Sequence, residues 1–196
     1  MEIDAKTVMK LRAETGAGAM ECKKALLESS GEFDKAKRWI HERGLAKGAK
    51  LAERAATVGA IGSYVHNGRI GALVELGCNT DFVAKNEEFQ DLLKKLAVAV
   101  CGFDPKYVSK ELVPKEILDE ERKKYEADLK GKPEQVAAKI LEGKLDKNFY
   151  SKLCLLSMAV DADEKNGTYG ELVKAKSGKM GENLVVRRFA RMELGT

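Results

Sequence analysis

Residues 58–77, VGAIGSYVHNGRIGALVELG, decide the fold of this chain. Asn67-Gly68 lies at the centre of the stretch, and this dipeptide tolerates the positive φ angles of a two-residue hairpin turn. After the turn, apolar residues alternate with others and so share one face of a strand: Ile70, Ala72, Val74 and Leu76. The stretch therefore predicts an antiparallel hairpin with strands at 58–66 and 69–77.

The apolar spacing changes from a period of 2 to a period of 3.6 after Thr80, which predicts a helix. The helical positions are Phe89, Leu92, Leu93, Leu96, Ala97 and Val100. Asn86-Glu87-Glu88 supplies a cap and an acidic first turn, while Gly102 and Pro105 predict the end of the helix.

The carboxyl-terminal half predicts two further features. Charged stretches at 114–130 and 133–143 each begin with a proline and are separated by Gly131-Lys132, which is typical of a protruding helical hairpin. Thr168 and Glu171 have capping-box spacing at the start of another helix, and residues 184–194 return to a β pattern that predicts a third strand.

Three short helices are predicted before the hairpin, within about 45 residues. Thr15-Gly16-Ala17-Gly18 separates the first two, Ser29-Ser30-Gly31 ends the second, and the third runs to Gly44. Residues 45–57 are rich in Ala, Lys and Arg and predict an exposed helical linker. The expected fold is α+β, with a three-helix module at 1–55 and a core domain at 56–196.

Composition excludes several classes of protein. Lys and Arg number 35 against 31 Asp and Glu, and this net charge of +4 is too weak to predict direct nucleic-acid binding. No apolar run approaches the roughly 18–20 residues that span a bilayer, and the amino terminus lacks a secretory pattern, so we expect a cytoplasmic protein that binds no membrane. Four widely spaced cysteines predict buried, reduced thiols and no metal site.

The chain lacks the residue patterns of an enzyme. His41 and His66 are its only histidines, and neither lies near a nucleophile-elbow motif. No GxxxxGK[ST] phosphate-binding loop occurs, and Gly16-Ala17-Gly18 is too short for a dinucleotide fingerprint. We therefore expect no covalent chemistry and no cofactor.

Residues 80–86 join the end of a strand to the start of a helix, a junction that commonly presents side chains. Phe82 has two interpretations there. The pattern alone favours a Phe packed into the local core, as most are. An exposed Phe82 beside Asp81 would instead be an anchor that fills a pocket of a partner.

Three separated segments resemble the signatures of the elongation factor Ts family, and the resemblance runs nearly end to end. The first is Leu11-Arg12 with residues 15–18 and 22–26, the second is NTDFVAKN at 79–86, and the third is GENLVVRRF at 181–189. The chain departs from the family pattern at 157–160, SMAV, where an aromatic-containing stretch is usual.

The resemblance implies a guanine nucleotide exchange factor that binds elongation factor Tu in its GDP form and speeds GDP release. It implies a ubiquitin-associated-like docking module of about 50 residues, a core with a small antiparallel sheet, a helical hairpin at 107–145 and a homodimer. Asp81 and Phe82 become the intruding pair, with Phe82 wedged between helices of the partner's GTPase domain near its magnesium and phosphate site.

The resemblance also implies a wider set of partner-binding residues. They are Leu11, Arg12, Thr15, Gly16, Ala17, Gly18, Lys23, His66, Thr80, Asp81, Phe82, Val83, Met180 and Gly181. One alternative stays open: a non-catalytic binding module of the ubiquitin-associated type, in which the bundle recognises a helical partner and residues 80–86 belong to the core.

Overall fold

A three-stranded antiparallel sheet in the order β1-β2-β3 lies at the centre of the computed structural model, which describes residues 3–161 and 167–195. Its strands are β1 (Val58–His66), β2 (Ile70–Cys78) and β3 (Val185–Glu193). Asn67 and Gly68 form the hairpin turn with φ angles of 50° and 67°, and His66 pairs with Ile70. The α+β class and both hairpin strands are confirmed, the second shifted by one residue.

The α-helices of the described residues lie before β1 and between β2 and β3 in the chain. The helices are α1 (Ala5–Thr15), α2 (Ala19–Glu28), α3 (Phe33–Leu51), α4 (Asp81–Ala84), α5 (Glu87–Phe103), α6 (Lys115–Lys123), α7 (Glu126–Leu129), α8 (Glu134–Leu145), α9 (Ser151–Leu153) and α10 (Tyr169–Met180). Among the described residues, none of these helices combines the length and the hydropathy needed to cross a membrane.

Helix α5 covers one face of the sheet and supplies the largest share of the main core, eight of its twenty buried residues. Its predicted apolar positions are all buried, and Asn86 caps it by accepting a hydrogen bond of 2.8 Å from the Glu88 amide. Gly62 of β1 lets the helix approach, because a Cβ there would lie 2.5 Å from Leu93 Cγ. The helix ends at Phe103, between Gly102 and Pro105 as predicted, and Asp104 with φ 50° is its C-cap.

The amino-terminal helices form their own small core around Leu11, Cys22 and Leu26, as predicted. The third helix does not stop at Gly44 but continues to Leu51. Most of residues 45–57 are exposed, yet Gly48 is buried against α10, where a Cβ would lie 2.1 Å from the carbonyl oxygen of Lys174. The predicted linker is therefore helical but packed along one edge, and the boundary near residue 55 stays a prediction.

The predicted helical hairpin is formed by α6 and α7 on one arm and α8 on the other. Lys144 of α8 forms an ion pair with Asp128 of α7 and lies 5.2 Å from the ring centre of Tyr125. A separate cluster that includes Phe149 and Tyr150 fills the base of the hairpin. Contacts between the arms thus hold this excursion together.

Two smaller predictions are also confirmed. Thr168 and Glu171 form a complete capping box at the start of α10, with the Glu171 amide donating to Thr168 Oγ1 and the Thr168 amide donating to Glu171 Oε2. All four cysteines are buried free thiols.

Candidate functional site

Helix α4 is one turn long and displays Phe82 to solvent. Its four residues divide by burial: Ala84 is buried and Val83 is partly buried, whereas Asp81 and Phe82 are exposed. Phe82 is 89% exposed. The interpretation of this Phe as a core residue is therefore wrong, because the turn places Val83 and Ala84 against the core and leaves the Phe82 ring outside.

Thr80 begins this turn and fixes its first hydrogen bonds. Its Oγ1 accepts a hydrogen bond of 3.4 Å from the Val83 amide, and its backbone φ of −133° is extended, as expected of an N-cap residue. The buried Cys78 thiol donates to the Thr80 carbonyl oxygen at 3.2 Å. Thr80 thus has a structural part in the site as well as a place on its surface.

Glu182 clamps the start of α4 from the opposite end of the sequence. Its Oε2 accepts hydrogen bonds from the Asn79 and Thr80 amides, each at 3.0 Å, and its Oε1 accepts one from Thr80 Oγ1 at 2.5 Å. Hydrogen bonds to an ionised carboxylate are stronger than those between neutral groups. The second and third sequence signatures therefore meet in space.

Two asparagines extend this clamp to the end of α3. The backbone amide of Asn183 donates to Asn79 Oδ1 at 2.8 Å, and the Asn79 side chain donates to the Ala55 carbonyl oxygen at 2.5 Å. The buried Asn183 side chain donates to the carbonyl oxygens of Ala52 and Arg54 at 3.1 and 2.7 Å. The segment that leads out of the amino-terminal helices is thereby tied to the base of α4.

The carboxyl end of α10 contacts both the turn between α1 and α2 and the start of α5. Lys179 and Lys176 pair with the two carboxylate oxygens of Glu88 at 2.5 and 2.9 Å. Partial burial raises the pKa of Glu88, but the two lysine hydrogen bonds outweigh it and the net pKa is lowered. Gly16 lies against this cluster, because a Cβ there would be 2.2 Å from Lys179 Nζ.

The turn at residues 15–18 is held by its own hydrogen bonds. Thr15 Oγ1 donates to the Leu11 carbonyl oxygen at 2.7 Å and accepts from the Ala17 amide at 3.3 Å, while Gly16 has a left-handed φ of 64°. Leu11 and Ala17 are buried in the small core, so they shape the turn and offer little surface.

The predicted residues that are exposed around this turn are Arg12, Gly16, Gly18 and Lys23. Met20, in the first turn of α2, is 80% exposed. The buried positions of this helix are Cys22, Ala25 and Leu26, and Met20 falls outside their helical spacing.

Met180 and Gly181 end α10 immediately before Glu182. Met180 is partly buried, and Gly181 has φ 74° and donates its amide to the Ser177 carbonyl oxygen at 2.9 Å. Only a residue tolerant of the left-handed region suits this position, and glycine is the usual choice. Gly181 therefore turns the chain so that Glu182 reaches Thr80.

His66 lies away from the other predicted residues. It ends β1 next to the hairpin turn, whereas Thr80 follows the opposite end of β2. Over the nine residues of β2, a rise of about 3.3 Å per residue separates the two ends by roughly 25 Å. His66 is exposed and contacts Tyr64 Oη at 3.1 Å.

The structure therefore brings residues 80–83, the end of α10 and the turn at 15–18 to one side of the molecule. Sequence analysis missed Glu182 and Asn183 as site residues, although both lie in the third signature, because their partners are about 100 positions away. Among the residues that the structure describes, no group of three or more His, Cys, Asp or Glu side chains is placed to hold a metal ion.

The chain resembles known proteins along its whole length. Residues 45–167 match the family model described as Elongation factor TS. Elongation factor Ts of Myxococcus xanthus (strain DK1622) is 46% identical over 99% of this chain and 89% of the relative. Elongation factor Ts of Thermodesulfovibrio yellowstonii is 45% identical over 100% and 98%, and that of Coprothermobacter proteolyticus is 46% identical over 100% of both.

Proposed function

The chain belongs to the elongation factor Ts family of translation elongation factors, and on that premise we propose that it is a guanine nucleotide exchange factor that binds elongation factor Tu in its GDP form. It speeds GDP release and has no covalent chemistry or cofactor of its own. Its place of action is the cytoplasm, where translation proceeds, and it contacts neither nucleic acid nor membrane directly.

The observation that carries this proposal is the exposure of Phe82. An aromatic side chain that is 89% exposed on a turn anchored at its first residue resembles the rigid aromatic anchors at the centres of protein interfaces. Burial of a Phe side chain contributes about 1.5–3 kcal/mol, and this free energy is realised only when a partner covers the ring. The alternative, in which the bundle alone binds a helical partner, leaves this exposure without a role.

We propose that Asp81 and Phe82 enter the GTPase domain of the partner and displace a helix that supports its magnesium site. Loss of that support weakens the hold on Mg²⁺ and on the β-phosphate that Mg²⁺ neutralises. Because coupling between two ligands is reciprocal, a factor that disfavours bound GDP is itself disfavoured by GDP. A coupling of about 3 kcal/mol corresponds to a change in GDP affinity of more than a hundredfold.

We propose residues 1–55 as the docking module and 56–196 as the core domain. Arg12, Lys23 and the glycines of the turn at 15–18 are the exposed residues through which the module contacts the partner. The contact between Gly16 and Lys179 supports a single binding surface that runs from this turn to Phe82.

We also propose that the protein works as a homodimer, with the outer face of the sheet as its interface. Four apolar side chains on that face are exposed: Ile61 is 67%, Val65 64%, Leu73 50% and Met192 79% exposed. The ion pair of Glu75 with Arg188 lies beside them. The opposite face is covered by α5, so only the outer one is available to a second copy. A two-fold interface presents the same patch from both copies, which suits a face with exposed apolar side chains and charges of both signs.

A fluorescent-GDP release assay on elongation factor Tu tests the exchange proposal. Wild type should accelerate GDP release. Phe82→Ala should reduce that acceleration at least about tenfold, which corresponds to a loss of about 1.4 kcal/mol. Phe103→Ala is the matched control, because Phe103 is a 54% exposed Phe at the other end of α5 and should leave release unchanged. Equal activity of Phe82→Ala and wild type would refute the wedge.

The homodimer is tested by sedimentation. Wild type should sediment as a dimer, and Leu73→Glu should convert it to a monomer by placing two carboxylates at the interface. A wild-type monomer at micromolar concentration would refute the dimer while leaving the exchange proposal intact.

A further inference from the structure

We propose that Glu182 is a positioning residue for exchange: its carboxylate fixes the amino terminus of α4 and so sets the direction in which Phe82 points. The inference rests on the proposed function, since it concerns the same wedge. It adds a residue that makes no contact with the partner and acts through Thr80.

Helix α4 needs such support because one turn is not stable on its own. Forming a first helical turn fixes several dihedral angles for one hydrogen bond, so an isolated turn is unfavourable. The Phe82 ring is almost fully exposed, and the surrounding protein therefore does little to hold it. Its direction is set by the backbone of residues 80–84, and whatever holds that backbone holds the ring.

Glu182 engages three donors at the start of the turn. It accepts from the amides of Asn79 and Thr80 and from the Thr80 hydroxyl. A threonine hydroxyl has one proton and two lone pairs. When the proton points to Glu182, a lone pair is left for the Val83 amide, which lies 3.4 Å away. The carboxylate therefore orients the cap as well as holding it.

Glu182 is itself fixed from its own backbone. The buried Ser177 hydroxyl donates to the Glu182 carbonyl oxygen at 2.5 Å, and Gly181 in the left-handed region sets the turn before it. The next residue, Asn183, is bound to Asn79 and to the chain at 52–54. Glu182 thus connects α4 to α10, and its neighbour Asn183 connects both to the segment that follows α3.

A wedge that is already ordered loses less conformational entropy on binding than one that must be ordered by its partner. The expected function of the clamp is therefore to keep Phe82 in its binding direction before the partner arrives. Removal of the clamp should slow exchange without removing any group that contacts elongation factor Tu.

Two variants separate geometry from charge. Glu182→Gln keeps the length of the side chain: its amide oxygen can accept from both backbone amides, and its amide nitrogen can donate to Thr80 Oγ1. Glu182→Ala removes all three contacts. We expect kcat/KM for stimulated GDP release to fall about tenfold with Glu182→Ala. With Glu182→Gln it should stay within about twofold of wild type, because the contacts keep their geometry and lose only the extra strength of a charged acceptor.

A double-mutant cycle and amide hydrogen exchange identify positioning as the cause. Once Phe82→Ala has removed the ring, Glu182→Ala should cause no further loss of release, because coupled residues are not additive. The amides of Ala84 and Lys85, which donate to the carbonyl oxygens of Thr80 and Asp81, should exchange faster in Glu182→Ala and not in Glu182→Gln. A merely structural role would add its loss to that of Phe82→Ala.

The possible failures differ from one another. If wild type does not accelerate GDP release, the proposed function fails. If wild type is active and Glu182→Ala is equally active, only the positioning role fails. Equal losses in Glu182→Ala and Glu182→Gln with the α4 amides still protected would also overturn the positioning role, since the charge would then act on the partner directly.

Discussion

Gly178→Ala should destabilise the protein, although a Gly-to-Ala change in a helix usually stabilises it. Gly178 lies in α10, and a Cβ built there would lie 2.1 Å from the carbonyl oxygen of Gly44 and 3.1 Å from the Gly48 amide nitrogen of α3. Ordinary contact begins at 3.4 Å, so the two helices would have to separate by about 1.3 Å. The separation would open a contact made by backbone, which cannot rotate away.

Two opposing effects decide whether Gly178→Ala raises or lowers the free energy of unfolding. Alanine gains about 1 kcal/mol over glycine in a helix interior. Overpacking of a close contact costs about 1–3 kcal/mol, and separation of α3 from α10 adds lost packing to that cost. We expect a net loss of about 1–2 kcal/mol in the free energy of unfolding, which lowers the urea midpoint by about 0.5–1 M for an m value near 2 kcal/mol/M.

Urea unfolding monitored by circular dichroism measures this midpoint. Gly143→Ala in α8 is the matched control, because a Cβ there meets nothing within 4 Å and the helical preference of alanine should raise the midpoint. A Gly178→Ala midpoint raised as far as that of Gly143→Ala would show that the helices are not in backbone contact, and the reasoning would be wrong.

Three further measurements test individual groups. Glu88→Gln should weaken the contact with Lys176 and Lys179 by under about 1 kcal/mol at pH 7, because the groups are partly exposed. The pKa of Glu88 is lowered in the folded protein, so this contribution to stability disappears as the pH falls below the ordinary value of 4.5. The urea midpoints of wild type and variant should then converge. Burial raises the pKa of Cys154 from 9.0 to about 11, so this thiol ionises at lower pH in the unfolded chain than in the folded one. The free energy of unfolding should therefore fall between pH 9 and pH 11, and it should fall less in Cys154→Ala. An equal fall in both proteins would contradict a raised pKa at Cys154. Thr168→Ala should cost about 1 kcal/mol in urea unfolding by removing the cap of α10, and an unchanged midpoint would show that the capping box contributes nothing.

Local patterns predicted the elements of the fold well because each element depends on neighbours in the chain. Asn67-Gly68 predicted the hairpin, and the spacing from Phe89 to Val100 predicted α5, since turn chemistry and helical period are visible over a few residues. The third helix was predicted seven residues short. Gly44 and Gly48 suggest a helix end when taken alone, but in the fold both face α10, and at Gly48 a Cβ would lie 2.1 Å from the carbonyl oxygen of Lys174.

The candidate site was less accessible to sequence analysis because its contacts join distant segments. The pattern favoured a buried Phe82, since most phenylalanines are buried, and only the family resemblance indicated display. The partners of Thr80 could not be found by spacing, because Glu182 follows it by about 100 residues. Asn183 is buried among carbonyl oxygens that no local pattern identifies.

The same contacts join the proposed wedge at Phe82 to the proposed docking turn at 15–18, although the two are far apart in sequence. Lys179 joins the turn at Gly16 to Glu88 near the end of α4, and three residues later in the chain Glu182 holds Thr80. Both contacts start from the end of α10, which is packed on α3 through Gly178. The proposed docking turn and Phe82 are therefore held at a set distance from each other. If that rigidity serves exchange, Gly178→Ala should reduce GDP release even where the protein is fully folded, whereas Gly143→Ala should not.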